Sequence, residues 1–199
     1  MKRILSLTFC FIGWFAVIMQ YYLMLQNSEV SFGETTTRFF SYFTILTNLI
    51  VAIYFTFQLF KNPGKTEKSG TLTAITIYIL VVGLVYQVLL RSTWNPTGIQ
   101  KIVDELLHTI IPILVLIFWY FYENKNELNY KQIPKWTVYP LIYLIYILIR
   151  GSFSSFYPYP FANVIEIGYS KVLINSFFIF IFFVLLSILF IRVGKALNK

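Results

Sequence analysis

The chain has little of what most enzymes use for chemistry. It contains one cysteine, Cys10, and one histidine, His108, among 199 residues. A single cysteine excludes an intramolecular disulfide and any cysteine-based metal motif. Cys10 lies inside the first apolar stretch and reads as a small packing residue. One histidine beside Asp104 and Glu105 falls short of the usual metal-ligand sets, so no metal is expected, and no cofactor. Charge is scarce as well. Charged residues make up 12% of the chain, against about 25% in a soluble domain. With 58% hydrophobic residues, this excludes an ordinary soluble domain and points to an integral membrane protein. Acidic residues number 8 against 16 Lys and Arg, a net charge of +8. Such an excess could serve nucleic acid, but the cations fall in short clusters between apolar spans, so no nucleic-acid partner is expected.

Six apolar runs are present. They cover about 4–25, 39–60, 72–90, 102–122, 136–149 and 171–191, each read as a transmembrane helix. A cleaved secretory signal would have a shorter apolar region and a small-residue cleavage site; neither is seen, so the first run is expected to be retained. The connections are polar: 26–38, 61–70 with Pro63 and Gly64, 91–101 with an Asn-Pro turn signal, 123–135, and a longer one at 150–170 containing Tyr157–Pro160. The fifth run is short. The expectation is an all-α bundle of six transmembrane helices in one domain. No repeat, linker or low-complexity segment is evident.

Cation placement orients the bundle. Arg38, Arg91, Lys101, Arg150 and Lys171 lie on one side. The other eleven of the 16 Lys and Arg, including Lys65 and Lys199, lie on the side of the N-terminus. By the positive-inside rule both termini are cytoplasmic. The chain is then a multi-pass protein of a cell membrane. Its many Ile, Phe, Lys, Asn and Tyr residues would suit an AT-rich bacterial genome.

The second run, FFSYFTILTNLIVAIYFTFQLF, is unusual because its first turns carry Ser41, Thr44, Thr47 and Asn48. Thr44 is three residues from Thr47 and four from Asn48, so the three share one helix face. Such a polar stripe must be satisfied by a neighbouring helix, a wet cavity or a substrate. The fourth run places Asp104, Glu105 and His108 near its start, with Asp104 four residues before His108 and able to orient the imidazole. Pro112, four residues after His108, cannot donate to the His108 carbonyl and kinks the helix. At 1.5 Å per residue, Thr44 and His108 both lie roughly 7–9 Å into their spans on the outer side. They could meet if the second and fourth helices pack together. A hydroxyl needs a base within reach to act as a nucleophile, and His108 is the candidate at this depth. The plainer readings are a histidine bonded for packing and threonines bonded to helix carbonyls. Gln87 and Arg91, four apart, end the third run at the same side, and Arg150 ends the fifth. The two arginines read either as interface anchors or as binders of an anionic group.

FFSYFTILTNLIVAIYF, then LLHTIIPILVLIFW, then VYPLIYLIYILIRG and YPYPF resemble, in order and spacing, the Pr6Pr family of bacterial six-span membrane proteins. That family is distantly similar to the FAR-17a/androgen-induced-gene-like membrane proteins of eukaryotes, which hydrolyse fatty acid esters of hydroxy fatty acids with an intramembrane Thr and His. The resemblance implies Thr44, in YFT, as nucleophile and His108, in HTIIP, as base. Thr47 is the rival nucleophile if the match slips by a turn, and it stands where an acidic residue is expected.

The resulting expectation is an intramembrane lipid-ester hydrolase with Thr44 and His108 at the outer-leaflet side. Thr47, Asn48, Gln87, Arg91, Asp104 and Arg150 would bind or orient the substrate. Asp104 would orient His108, Asn48 or Gln87 would donate to the oxyanion, and Arg91 would hold a carboxylate. The partners are a lipid or fatty acid ester and the membrane; the oligomeric state is not set by the sequence. The alternative is a non-catalytic lipid-binding protein or transporter using the same polar pocket.

Overall fold

A computed structural model describes residues 1–61 and 68–197. Pro63, Gly64, Lys65 and Lys199, named above for the 61–70 loop and the cation count, lie outside the described residues. The chain is 85% helical, with no strand among the described residues. Six helical stretches are long and apolar enough to cross a membrane: Lys2–Gln26, Phe43–Phe60, Thr71–Thr93, Gly98–Tyr122, Tyr130–Ser154 and Val164–Ala196. The chain is therefore a multi-pass membrane protein. It divides into two compact units, 1–124 and 125–199.

The first unit holds four of the spans. They are α1 (Lys2–Gln26), α3 (Phe43–Phe60), α4 (Thr71–Val85) and the pair α5 (Gly98–Glu105) and α6 (Ile111–Tyr122). A short helix, α2 (Phe32–Phe39), lies ahead of α3 where the sequence suggested only a loop. Its N-terminus is capped by Ser31, whose hydroxyl accepts from the Glu34 amide, and Arg38 pairs with Glu34 one turn back. These local bonds stabilise a helix too polar to register as an apolar run. The chain then breaks at residues 40–42, and α3 starts at Phe43 rather than at Phe39.

Within this unit α3 packs against α1 and α4, and α6 against α1 and α4. Burying apolar surface does not drive helices together in lipid, so close packing and interhelical hydrogen bonds must do it. Both are present. A Cβ at Gly13 would stand 3.2 Å from Ala52 Cβ, so α1 and α3 cross at small residues. Trp14 Nε1 donates to Thr56 Oγ1 at 3.0 Å. Phe9, Phe55 and Phe118 meet edge to face at the centre. At the start of α4, Gly70 takes the left-handed conformation (φ 86°). The Glu123 carboxylate caps this helix, accepting from the Thr73 amide at 2.8 Å and the Thr73 hydroxyl at 2.7 Å.

The second unit is the pair α7 (Ile133–Ser154) and α8 (Val164–Ala196), packed on each other. Both are longer than their apolar runs. A capping box at Asn129 and Gln132 starts the fifth span early, and it runs through Pro140 to Ser155, which closes it at φ 54°. α8 begins at Val164 and bends at Gly168 (φ 76°, ψ 159°), where only glycine adopts the backbone without strain. The Tyr157 ring lies over Gly151, leaving no room there for a side chain.

Candidate functional site

The first turn of α3 and two neighbouring spans build a polar cluster in the first unit. Both of those spans change helical form where they meet it. Tyr86–Leu90, after α4, is a π-helical turn, and Leu106–Ile110, between α5 and α6, is another. π turns are rare in helices and recur at functional sites.

The second π turn has a sequence cause. The Ile111 amide bonds to the Leu106 carbonyl, five residues back. In that register the next carbonyl, Leu107, needs an N–H from residue 112, which is proline. Asn48 supplies the missing donor from α3. Its Nδ2 bonds to the Leu107 carbonyl at 3.3 Å and to the Thr44 carbonyl at 2.9 Å. The side chain is fully buried. Its Oδ1 is buried without a hydrogen-bond partner. Pro112 therefore leaves the Leu107 carbonyl to the Asn48 side chain, besides withholding the usual i+4 donor from the His108 carbonyl. Opposite the turn, a Cβ at Gly83 would stand 2.9 Å from the His108 carbonyl oxygen, so α4 approaches this backbone as closely as glycine allows.

That frame brings Thr44 and His108 together, with Thr44 Oγ1 3.4 Å from His108 Nε2. His108 Nδ1 lies 3.0 Å from the Asp104 carbonyl and 3.2 Å from Asp104 Oδ1. Both oxygens only accept, which assigns the proton to Nδ1 and leaves the Nε2 lone pair facing the Thr44 hydroxyl. Asp104 Oδ2 in turn accepts from the Tyr86 hydroxyl. The Tyr86 ring stacks on the imidazole, 4.0 Å between centroids and 13° from parallel. Thr44, Asp104 and Tyr86 are all buried, while the His108 side chain keeps 13% exposure. Thr44 stands in the first turn of an 18-residue helix. A first turn presents main-chain N–H groups and the positive end of the helix dipole.

A second layer lies beside the first. Arg91 donates to Gln87 Oε1 at 2.8 Å and to Glu105 Oε1 at 2.5 Å. Gln87 Nε2 donates to Thr109 Oγ1 at 2.9 Å, and Thr109 Oγ1 donates to Glu105 Oε2 at 2.7 Å. The four side chains close a ring.

The other expected site residues are placed as follows. Thr47 is fully buried on the same helix face as Thr44. Asn48 spends both amide hydrogens on carbonyls, so it braces α3 to the π turn and is not an oxyanion donor. Gln87 is bonded to Thr109 and Arg91, which takes it out of that role too. Arg91 is neutralised by Glu105 rather than open to a carboxylate. Arg150 belongs to the second unit, where its guanidinium donates to the Phe156 carbonyl at 3.3 Å and sits over the Phe156 ring. Two members of the cluster, Tyr86 and Thr109, were not singled out by sequence reasoning. Each directly follows or precedes a residue that was: Tyr86 stands before Gln87, and Thr109 after His108. No group of three metal-ligating side chains occurs among the described residues. No protein-family profile, curated protein or solved structure matches this chain.

Proposed function

We propose that the chain is an intramembrane hydrolase of lipid esters with Thr44 as nucleophile and His108 as general base. The supporting observation is the continuous chain Thr44–His108–Asp104–Tyr86, in which each polar atom meets a complementary one. Nucleophile, base and orienting carboxylate recur in this relation on unrelated folds. The 3.4 Å approach of Thr44 to His108 is loose, as catalytic hydrogen bonds often are before substrate binds.

His108 Nε2 takes the proton of the Thr44 hydroxyl as Oγ1 attacks the acyl carbon of the ester. The carbonyl oxygen gains the negative charge beside the first turn of α3, where helix amides and dipole favour an anion. His108 then gives its proton to the departing alkoxide as the C–O bond breaks, leaving an acyl-threonine. Water, deprotonated by the same Nε2, attacks that ester, and the acid leaves with Thr44 restored. Asp104 holds the ring through Nδ1 and balances the imidazolium charge that forms in both halves. The acyl chain suits a site built inside apolar spans. Membership of the Pr6Pr family and residence in a bacterial cell membrane, with both termini cytoplasmic and the site in the outer half, belong to the same proposal. The eleven-to-five division of cations supports that orientation.

The test is labelling of the purified protein with a fluorophosphonate probe. Labelling is expected in the native protein and in Thr47→Ala, and is expected to vanish in Thr44→Ala and His108→Ala. Unchanged labelling in Thr44→Ala refutes its role as nucleophile. Absence of labelling in every form, with fold intact, favours a lipid-binding role for the same cluster.

A further inference from the structure

Two residue pairs face each other across the two π turns. Tyr86 and His108 form the inner pair and stack. Gln87 and Thr109, next in sequence to each, form the outer pair and hydrogen-bond. With Arg91 and Glu105 the outer pair closes the four-membered ring, and the Gln87 side chain is exposed. Apolar side chains flank it on the surface: Val88 is 76% exposed and Ile110 41%. Behind the ring, Thr44 is only 8% exposed. An ester cannot reach its hydroxyl unless something parts. The ring is held by side-chain hydrogen bonds and one ion pair. It also lies on π turns, where the helical hydrogen-bond geometry is already relaxed.

We propose that this ring is the entry and headgroup site for an uncharged, hydroxyl-bearing amphiphile of the monoacylglycerol type, which reaches Thr44 between the two π turns. The ester part of this assignment rests on the hydrolase reading; the route and the headgroup preference do not. The charges of Arg91 and Glu105 cancel, and every side chain of the ring is already bonded within it. Glycerol hydroxyls both donate and accept, so they can replace these bonds one for one as the ring opens. A carboxylate headgroup would have to compete with Glu105 for Arg91 and would then face the displaced Glu105 charge.

The single histidine makes the test independent of catalysis. Diethyl pyrocarbonate modification of His108, followed by peptide mass spectrometry in phosphatidylcholine nanodiscs, reports access to the site. In a Cys10→Ser background, Gln87→Cys and Thr109→Cys are bridged with 1,2-ethanediyl bismethanethiosulfonate. Modification is expected to slow at least fivefold on bridging and to recover once dithiothreitol has removed the bridge. An unchanged rate at complete bridging overturns the route. Should the double variant not fold, Glu105→Ala, which removes both acceptors and opens the ring, is expected to speed modification, and no change overturns the proposal equally. Monoolein in the nanodisc is expected to protect His108 in the native chain more than the same mole fraction of oleate; equal or stronger protection by oleate overturns the headgroup assignment. Loss of fluorophosphonate labelling together with intact gating would sink only the hydrolase reading.

Discussion

Gly83→Ala is the sharpest perturbation of the Thr44–His108 geometry, because it adds one methyl group and touches neither residue's side chain. The new Cβ would lie 2.9 Å from the His108 carbonyl oxygen and 3.3 Å from Pro112 Cγ, whereas ordinary contact begins at 3.4 Å. The obstacle is backbone and a proline ring, so it cannot rotate aside. The α4 backbone and the π turn must separate by about 0.5 Å, an overpacking strain of about 1–3 kcal/mol. The helix gains about 0.5–1 kcal/mol from replacing glycine by alanine. Net stability therefore falls by no more than about 2.5 kcal/mol. The Thr44–His108 geometry has less margin. Thr44 and His108 start at 3.4 Å, and a further 0.5 Å takes them beyond hydrogen-bonding distance. A 1 Å misplacement can cost on the order of 10²-fold in rate, so half of that costs about tenfold. The assay is the rate of fluorophosphonate labelling, with thermal unfolding measured beside it. Gly33→Ala is the control, since a Cβ there meets nothing within 4 Å; it is expected to label at the native rate. Native-rate labelling by a folded Gly83→Ala protein would refute the dependence of the site on this backbone contact.

Further expectations concern the supports of the cluster. Asn48→Leu removes the donor to the Leu107 carbonyl and costs about 1–3 kcal/mol in thermal stability. Pro112→Ala returns an N–H to that position, so the same substitution is expected to cost less in its presence; an equal cost in both backgrounds would show that Asn48 and Pro112 are not coupled. Nitrogen-15 spectra of the sole histidine are expected to show the neutral ring with its proton on Nδ1. A spectrum dominated by the Nε2–H form contradicts the role of His108 as base toward Thr44. Tyr86→Phe keeps the stacked ring but deprives the buried Asp104 Oδ2 of its donor, and is expected to lower stability by about 1–3 kcal/mol in a thermal shift assay.

The spans were legible because lipid demands continuous apolar helices, and runs such as Ile4–Leu25 have no other reading. The matched depth of Thr44 and His108 was legible for a related reason: helix rise turns sequence position into depth. What the sequence hid was anything decided by a local hydrogen bond. The break at residues 40–42 falls inside an apolar run, and α2 is held by the Ser31 cap and the Glu34–Arg38 pair rather than by hydropathy. Tyr86 carried no signal because the chain has 15 tyrosines and 21 phenylalanines. For Asn48 the polar helix face left a neighbouring helix, a wet cavity and a substrate open as partners. Its actual partner is a carbonyl exposed by a proline 64 positions away in the chain, which no local pattern encodes. Arg91 looked available because Glu105 lies across a turn and on another helix.

The two π turns also bear on how this protein is to be compared with others. A π turn is what a single inserted residue does to an α-helix: it adds one position without lengthening the span by a full turn. Deleting one residue from Leu106–Ile110 would restore the plain helix and leave the segments on either side on much the same faces, because the π turn takes up the extra residue locally. A homologue with straight helices would be one residue shorter in each of these two spans, and its gaps would fall beside His108 rather than in loops, where gaps are usually sought.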